Sequence, residues 1–480
     1  MNLFTWTGNP FVDNGIAAML TLARKKGPEK LTSGDVQAMS ERMLRIYLTA
    51  GWLKSMQNIF PNSAFTQPAY GANRPEKVRE VIEFLEAEMK PLAHAGSCTC
   101  CGRREALRLP SNDKRKLPNN MILSKTYVPL NGGVMNFFPG GTYGADICAT
   151  CVYAIQCAPL NFYTANTDEK RFVVVHSNSF RVLEAWSKEA KKKIDEQIAT
   201  GNFSGCINEG YNNAPNAFFH IVQEIMSDQD FDDEDRFVSV RFYHFDNYNQ
   251  PKSQPLKIYD LPTPAFRFLV KAFQHDTKDE WRKLIRRNYY FVKNSVLVRL
   301  PTMEESDEKT KTQKNFVLEK LLRDESITRY FFDRRRQEAF VSWKLLQVYL
   351  TEARGMSEPR IETIKKVADE IAIVIQQPSK KKRLAQLEIA PNYASFRNVL
   401  RYLIKDRKEM DAPEPLFTLD EYVEHLFPQG ALGWKETQDL ILFRLYETLH
   451  EWLKPEDLPQ TDGEPVEGNE VDDSSTQEAA

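Results

Sequence analysis

Long apolar runs are missing from this chain of 480 residues. No stretch approaches the roughly 18 to 20 consecutive apolar residues that a membrane-spanning helix needs. The amino terminus, Met1 to Asp13, lacks a basic segment leading into an apolar run, so no secretion signal is expected and the expected location is the cytoplasm. Histidine is scarce, with seven residues, and none stands in an HExxH or HxH pattern of the kind that holds a catalytic metal. The GxxxxGK(S/T) phosphate cradle, the glycine fingerprint of dinucleotide-binding folds and the GxSxG nucleophile elbow are absent too. Asp228, Asp230, Asp232, Asp233, Glu234 and Asp235 lack the glycine and closing glutamate of a calcium loop, and read as a solvated turn. These absences point away from an enzyme; the catalytic alternative is a nuclease centre built from dispersed carboxylates.

What is present is the composition of a globular protein, 42% hydrophobic and 27% charged, long enough for two to four domains. Seven cysteines, an odd number in a large chain without a secretion signal, do not make a disulfide framework. Five of them fall into two tight groups. Cys98-x-x-Cys101 and Cys148-x-x-Cys151 supply four sulfurs, the donor set of a closed tetrahedral zinc site whose role is structural. Gly102 suits the tight turn that aims both sulfurs of the first pair one way. The long insert between the pairs marks a zinc knuckle carrying an insertion. Cys100 and His94 are alternative ligands, and buried thiols without metal are the competing reading.

The net charge of −2 conceals a strong asymmetry. Residues 309–410 carry +10 and residues 411–480 carry −15. A basic block beside an acidic end suggests a polyanionic partner for the former, with solvated helix faces as the bland alternative. Basic residues on expected helices cluster at Arg334, Arg335 and Arg336, at Lys380, Lys381, Lys382 and Arg383, and at Arg397, Arg401, Lys405 and Lys408. The last set runs at four-, four- and three-residue steps, which puts it on one helix face where it can track successive phosphates. Arg282, Lys283, Arg286 and Arg287 precede Tyr289 and Tyr290 and form a weaker set. Two loops combine small size with amide groups able to read base edges, Asn131-Gly132-Gly133 and the segment holding Asn208, Asn212 and Asn213.

The fold class is α+β: an N-terminal mixed α/β region with an inserted four-cysteine zinc-finger element, followed by a C-terminal helical bundle. Asn9 and Pro10 open a helix that runs through Ala23, with further helices near 33–49, 74–90 and 180–199. Strands are expected at 121–129, 171–176 and 237–245, and one or two over Tyr289–Leu300. Apolar residues recur at helical steps in 315–352, 360–376, 393–408, 418–427 and 434–453. The divisions drawn are 1–96, helical; 97–158, the zinc-finger element; 159–303, completing the N-terminal domain; 304–456, the bundle; and 457–480, an acidic tail that reads as disordered.

The opening Gly8-Asn9-Pro10-Phe11-Val12-Asp13-Asn14-Gly15, the two CxxC pairs and the intervening Asn136-Phe137-Phe138-Pro139-Gly140-Gly141 resemble the large subunit of the type I-B CRISPR Cascade over roughly residues 1–300. Beyond that the likeness is one of architecture. The resemblance implies a crRNA-guided complex for antiviral defence, with this chain beside the crRNA 5′ handle. There it would read the PAM in duplex target DNA, aid R-loop formation and hold the displaced strand on the bundle. Its implied partners are the backbone and small subunits and a recruited helicase-nuclease or transposition factor, with no membrane. The family also makes its bundle separately in some systems, for which Met356 or Met303 is the candidate start here. The alternative is a stand-alone zinc-containing nucleic-acid-binding accessory protein of a mobile element.

Overall fold

A computed structural model of the chain describes residues 3–60, 63, 65–66, 68–93, 95–107, 147–165, 171–208, 210–227, 238–245, 256–274, 276–293, 296–300 and 309–453. The chain divides into two compact units, Met1–Leu261 and Pro262–Ala480. Both helix and strand are present and the C-terminal region is helical, as the sequence implies.

The first unit is organised around α1 (Pro10–Ala23). Asn9 caps it by accepting the backbone N–H groups of Phe11 and Val12, while Pro10 occupies the first turn, where no N–H is needed. All residues from Phe11 to Leu20 are buried, so α1 is a core helix rather than a surface one. It lies against α5 (Ala149–Cys157), α6 (Phe180–Thr200) and strand β2 (Arg171–Ser177). Helices α2 (Ser33–Tyr47), α3 (Ala50–Ile59) and α4 (Arg74–Ala87) complete the helical layer. The sheet has the order β3-β1-β2-β4-β5, from β1 (Tyr163–Ala165), β2 (Arg171–Ser177), β3 (Ile207–Asn208), β4 (Val240–Phe245) and β5 (Leu256–Leu261). Only the β1–β3 pairing is parallel; β2 and β4 align in antiparallel register from Phe172–Phe245 to Ser177–Val240. Helix α7 (Ala214–Ser227) also belongs to this unit.

Buried polar groups pin α1 in place. The Asp13 carboxylate accepts from Thr7 and Gly8 backbone N–H groups at 2.8 and 2.9 Å and lies 3.2 Å from His176 Nε2. The Asn14 amide donates to the carbonyls of Pro10 and Val175, and Asn161 donates to the Asn14 carbonyl. Gly15 lets the backbones of α1 and α5 touch: a Cβ there would sit 1.7 Å from the Ala154 carbonyl oxygen. The Asn9-to-Gly15 segment thus serves helix capping, loop anchoring and close packing.

The second unit contains α8 (Thr263–Ala272), α9 (Lys278–Arg287), a three-stranded sheet of β6 (Tyr289–Lys293), β7 (Val296–Arg299) and β8 (Lys314–Asn315), and α10 (Phe316–Leu322). A short hairpin, β9 (Phe332–Asp333) and β10 (Glu338–Ala339), leads to the bundle. The bundle comprises α11 (Trp343–Glu352), α12 (Glu358–Ile375), α13 (Lys382–Glu388), α14 (Tyr393–Glu409) and α15 (Trp434–Thr448). Its centre is α12 against α15, with Ile361, Ile364, Val367, Ile371 and Ile375 buried on one side of the contact.

Three expectations are corrected. Residues 315–352 are not one helix, because the hairpin interrupts them. Residues 421–426 form a wide π-type turn within the segment expected as an α-helix at 418–427. Residues 262–303, read as completing the N-terminal part, fall in the second unit, where α8 packs on α11. Buried Glu352 strengthens that contact, its carboxylate paired with Arg267 and with Lys271 at 2.5 Å. The expected strand at 121–129, the Met303 position and the acidic tail lie outside the described residues.

Candidate metal centre and basic face

The first cysteine pair sits on a tight backbone hairpin. Cys98 N–H donates to the Arg104 carbonyl at 2.9 Å, and Gly102 N–H to the Cys98 carbonyl at 2.8 Å. Gly102 adopts φ 62°, a left-handed conformation that suits glycine and turns the chain between the sulfurs and Arg103. Gly96 crosses the Arg104 backbone so closely that a Cβ would lie 2.3 Å from its carbonyl carbon. The second pair opens α5, with Cys148 at the N-cap and Cys151 in the first turn. Leu107 N–H donates to the Ile147 carbonyl at 2.8 Å, so the long insert leaves and returns at neighbouring points. That clamp explains how four sulfurs converge despite the sequence gap.

One sulfur from each of Cys98, Cys101, Cys148 and Cys151 lies within 4.8 Å of all the others. A tetrahedral zinc with Zn–S of about 2.3 Å requires sulfurs about 3.8 Å apart. Cys101 and Cys148 stand at 3.9 Å and the whole set lies within 4.8 Å, a donor set close enough to hold such an ion. The surroundings are electropositive. Cys148 N–H, at the N-terminal end of α5, donates to Cys98 Sγ at 3.3 Å, and buried Arg104 reaches Cys101 Sγ at 3.9 Å. Arg104 also donates to the Lys90 carbonyl at 2.6 Å and to that of Leu3, tying the knuckle to the chain around it.

Acid–base chemistry leads to the same place. The Cys98 thiol is pushed far down, because Cys100, Cys101, Cys148 and Cys151 all hydrogen-bond to its thiolate. Cys148 is pushed up by Cys101, and Cys151 is pushed up by Cys100 and then Cys101. Sulfurs this close share charge as one group, and all four become thiolates only with a cation among them. Cys100 is buried but outside the four-sulfur set, and His94 lies outside the described residues. Cys157 and Cys206 are buried apart from the cluster, their thiols raised by desolvation, that of Cys206 to about 12. The helix bearing Cys151 is itself held by side-chain bonds. Tyr153 donates to the Val36 carbonyl and lies 2.7 Å from Ser40 Oγ, and Tyr47 donates to the Gln156 carbonyl at 3.0 Å.

The basic candidates divide in the folded chain. Arg334, Arg335 and Arg336 stand on the β9–β10 hairpin, not on a helix. Asp333 turns the chain by accepting the N–H groups of Arg335 and Arg336 at 2.8 and 3.2 Å, and Arg334 pairs with Asp439. Lys380 and Arg383 both hold the buried Asp406, at 2.7 and 2.6 Å, and Lys380 also reaches Glu409 at 2.8 Å. Burial raises the Asp406 carboxyl, but the bonds from Arg383 and Lys380 outweigh it and hold the group below its usual value. Lys381 lies over the Trp452 ring at 5.0 Å, and Lys382 is exposed.

Arg397, Arg401, Lys405 and Lys408 are exposed along α14, and among the described residues none of the four makes an ion pair. A side-chain bond joins Arg401 to Asn398 at 3.4 Å. Asp406, the acid that could have neutralised the row, points instead to Lys380 and Arg383. Tyr402, between Arg401 and Lys405 in sequence, was not singled out by sequence; the residue is 49% exposed, with the Arg383 guanidinium 4.8 Å from its ring centre. An aromatic between Arg401 and Lys405 was the available signal. Arg104, equally overlooked, is legible as the basic residue three after Cys101.

Of the loop candidates, Asn131, Gly132 and Gly133 lie outside the described residues, as does the Asn136 to Gly141 run. Asn208 is exposed at the end of β3, its side-chain oxygen accepting Gly210 N–H at 2.8 Å. Asn213 accepts Asn216 N–H at 3.2 Å at the start of α7, and Asn212 is exposed. Among the described residues no helix is long and apolar enough to cross a membrane. Comparison of the chain with curated proteins and with solved structures finds no significant match. Residues 92–163, which hold all four clustered cysteines, match the model of a family described as CRISPR-associated protein (Cas_CXXC_CXXC), and this match supports a CRISPR-related function.

Proposed function

We propose that this chain is the large subunit of a type I-B Cascade, a non-catalytic DNA-binding component of a crRNA-guided complex. The observation that carries the reading is the four-cysteine cluster inside a segment matching a CRISPR-associated family. Cys98, Cys101, Cys148 and Cys151 would hold zinc, because four sulfurs at this spacing make a closed tetrahedral set. The ion supplies cross-linking and charge balance; Arg104 and the N-terminal end of α5 orient and stabilise the sulfurs. The exposed cations on α14 support the strand-holding role, since a row of positive charge follows a phosphate backbone without reading sequence. Base pairing with the guide would read the target, and loops of the first unit would read the PAM.

The test is purification of the tagged chain from cells expressing its native gene neighbourhood, with sequencing of the bound RNA. Uniform RNAs sharing a 5′ handle, recovered with backbone subunits, are the expected result. Soluble metal-loaded protein without RNA would replace this reading with the mobile-element accessory protein. Magnesium-dependent cleavage of DNA by the isolated chain would overturn the non-catalytic assignment.

A further inference from the structure

The described chain closes at Leu453, one residue after a tryptophan that meets Lys381. Trp452 packs under Lys381, with the ammonium 5.0 Å from its ring centre. Lys380, the adjacent residue, binds Asp406 and Glu409 at the C-terminal end of α14 at 2.7 and 2.8 Å. These contacts link Trp452 to the C-terminal end of α14 through the adjacent Lys381 and Lys380, on the side of the helix that carries Asp406 and Glu409. Residues 454–480 contain nine carboxylates and one lysine, a net charge of −8. Their partners in charge, Arg397, Arg401, Lys405 and Lys408, are exposed and make no ion pair among the described residues.

Reach is ample. The four cations span about 16 Å of helix at 1.5 Å per residue. The 25 residues from 454 to 478 extend to at most about 80 Å at roughly 3.3 Å each. A tethered segment of this length meets its target at an effective concentration on the order of millimolar. Four exposed cations that make no ion pair among the described residues, with Lys405 sharing its field with Glu409, provide the complementary surface for such a chain.

We propose that the acidic segment 456–478 docks on the basic face of α14 when no nucleic acid is bound, and competes with polyanions for it. Docking itself requires only the charges described here; the competition rests on the strand-holding role proposed above. The segment acts as a built-in competitor that sets a threshold. Weak, non-specific strands fail to displace it, whereas a strand presented at high local concentration by an open R-loop succeeds.

Two measurements on the full chain separate the docking from the function. Zero-length carbodiimide cross-linking followed by mass spectrometry should join Lys405 or Lys408 to carboxylates between Glu456 and Glu478, and 1 M salt should suppress the products, since screening there reaches about 3 Å. Truncation after Pro455 should raise affinity for a 20-nucleotide oligothymidylate by about tenfold at low salt, the gain shrinking as salt rises. Cross-links without oligothymidylate binding by either chain would uphold docking and sink the strand-holding role. Absence of those cross-links, with equal binding by both chains, would overturn the proposal and leave the strand-holding role standing.

Discussion

Cys98, Cys101, Cys148 and Cys151 were legible in the sequence because CxxC spacing is a local property, but the exclusion of Cys100 is a matter of three-dimensional aim. Both facts are testable together. Cys98→Ser should lose bound metal and yield little soluble protein, since the binding free energy of a structural ion is folding free energy. Cys100→Ser should retain about one metal ion per chain by elemental analysis; loss of metal there would make Cys100 a ligand. A second residue reports through pH. His244 on β4 is buried, with Nε2 3.3 Å from the Ala165 carbonyl, and desolvation lowers its pKa from 6.5 to about 4. The unfolded chain thus binds a proton that the folded chain refuses between pH 6.5 and pH 4, so stability falls as pH drops through that window. This histidine alone should cost about 2 kcal/mol between pH 7 and pH 5. Denaturant titrations of the wild type and His244→Gln at both pH values should differ by that amount in their pH dependence; parallel behaviour would remove His244 as the cause.

At the scale of elements, α1 and α14 were readable for different reasons. The Asn9-Pro10 start announces α1 through capping chemistry, and the four-, four- and three-residue steps of Arg397, Arg401, Lys405 and Lys408 announce one face of α14. The helices α8 and α9 were harder to see, because short apolar runs broken by Lys and Arg carry little periodicity of their own and are fixed by packing. Arg334, Arg335 and Arg336 misled because arginine favours helices, while the Asp333 side chain captures the next N–H groups and makes a turn. Lys380 and Arg383 looked like strand-binding groups until folding brought Asp406 to them. Close contact of α1 with α5 has its own consequence. Gly15→Val would drive a side chain into the Ala154 carbonyl, and destabilisation of about 3 kcal/mol or more is expected in denaturant titration. For α14, four phosphate contacts imply a slope of log affinity against log salt near about −2.8 on single strands. Replacing Arg401 or Lys405 by Ala should flatten it by about 0.7 each, with unchanged circular dichroism; an unaltered slope would show that the strand does not follow this face.

For the molecule as a whole, the division into Met1–Leu261 and Pro262–Ala480 places every cysteine in the first unit and the +10 block of residues 309–410 in the second. The sequence showed the two chemistries but not the boundary, because α8 is assigned by its packing on α11 rather than by any break in composition. This separation makes the contribution of the proposed zinc measurable on one unit against the other. A structural zinc site contributes on the order of 10 kcal/mol, comparable with the roughly 5 to 15 kcal/mol by which a whole domain is stable. Removing the ion should therefore unfold the first unit and not merely loosen the knuckle. In the second unit, the α12–α15 core and the Glu352 pairing involve no sulfur, and no metal-ligand cluster stands there among the described residues. Hydrogen exchange with and without a strong chelator should show amide protection lost across α1, α5 and β2 but retained across α12 and α15. Loss confined to residues near Cys98 and Cys148 would mean that the buried α1 core folds without the ion. Equal loss in both units would mean that they unfold as one.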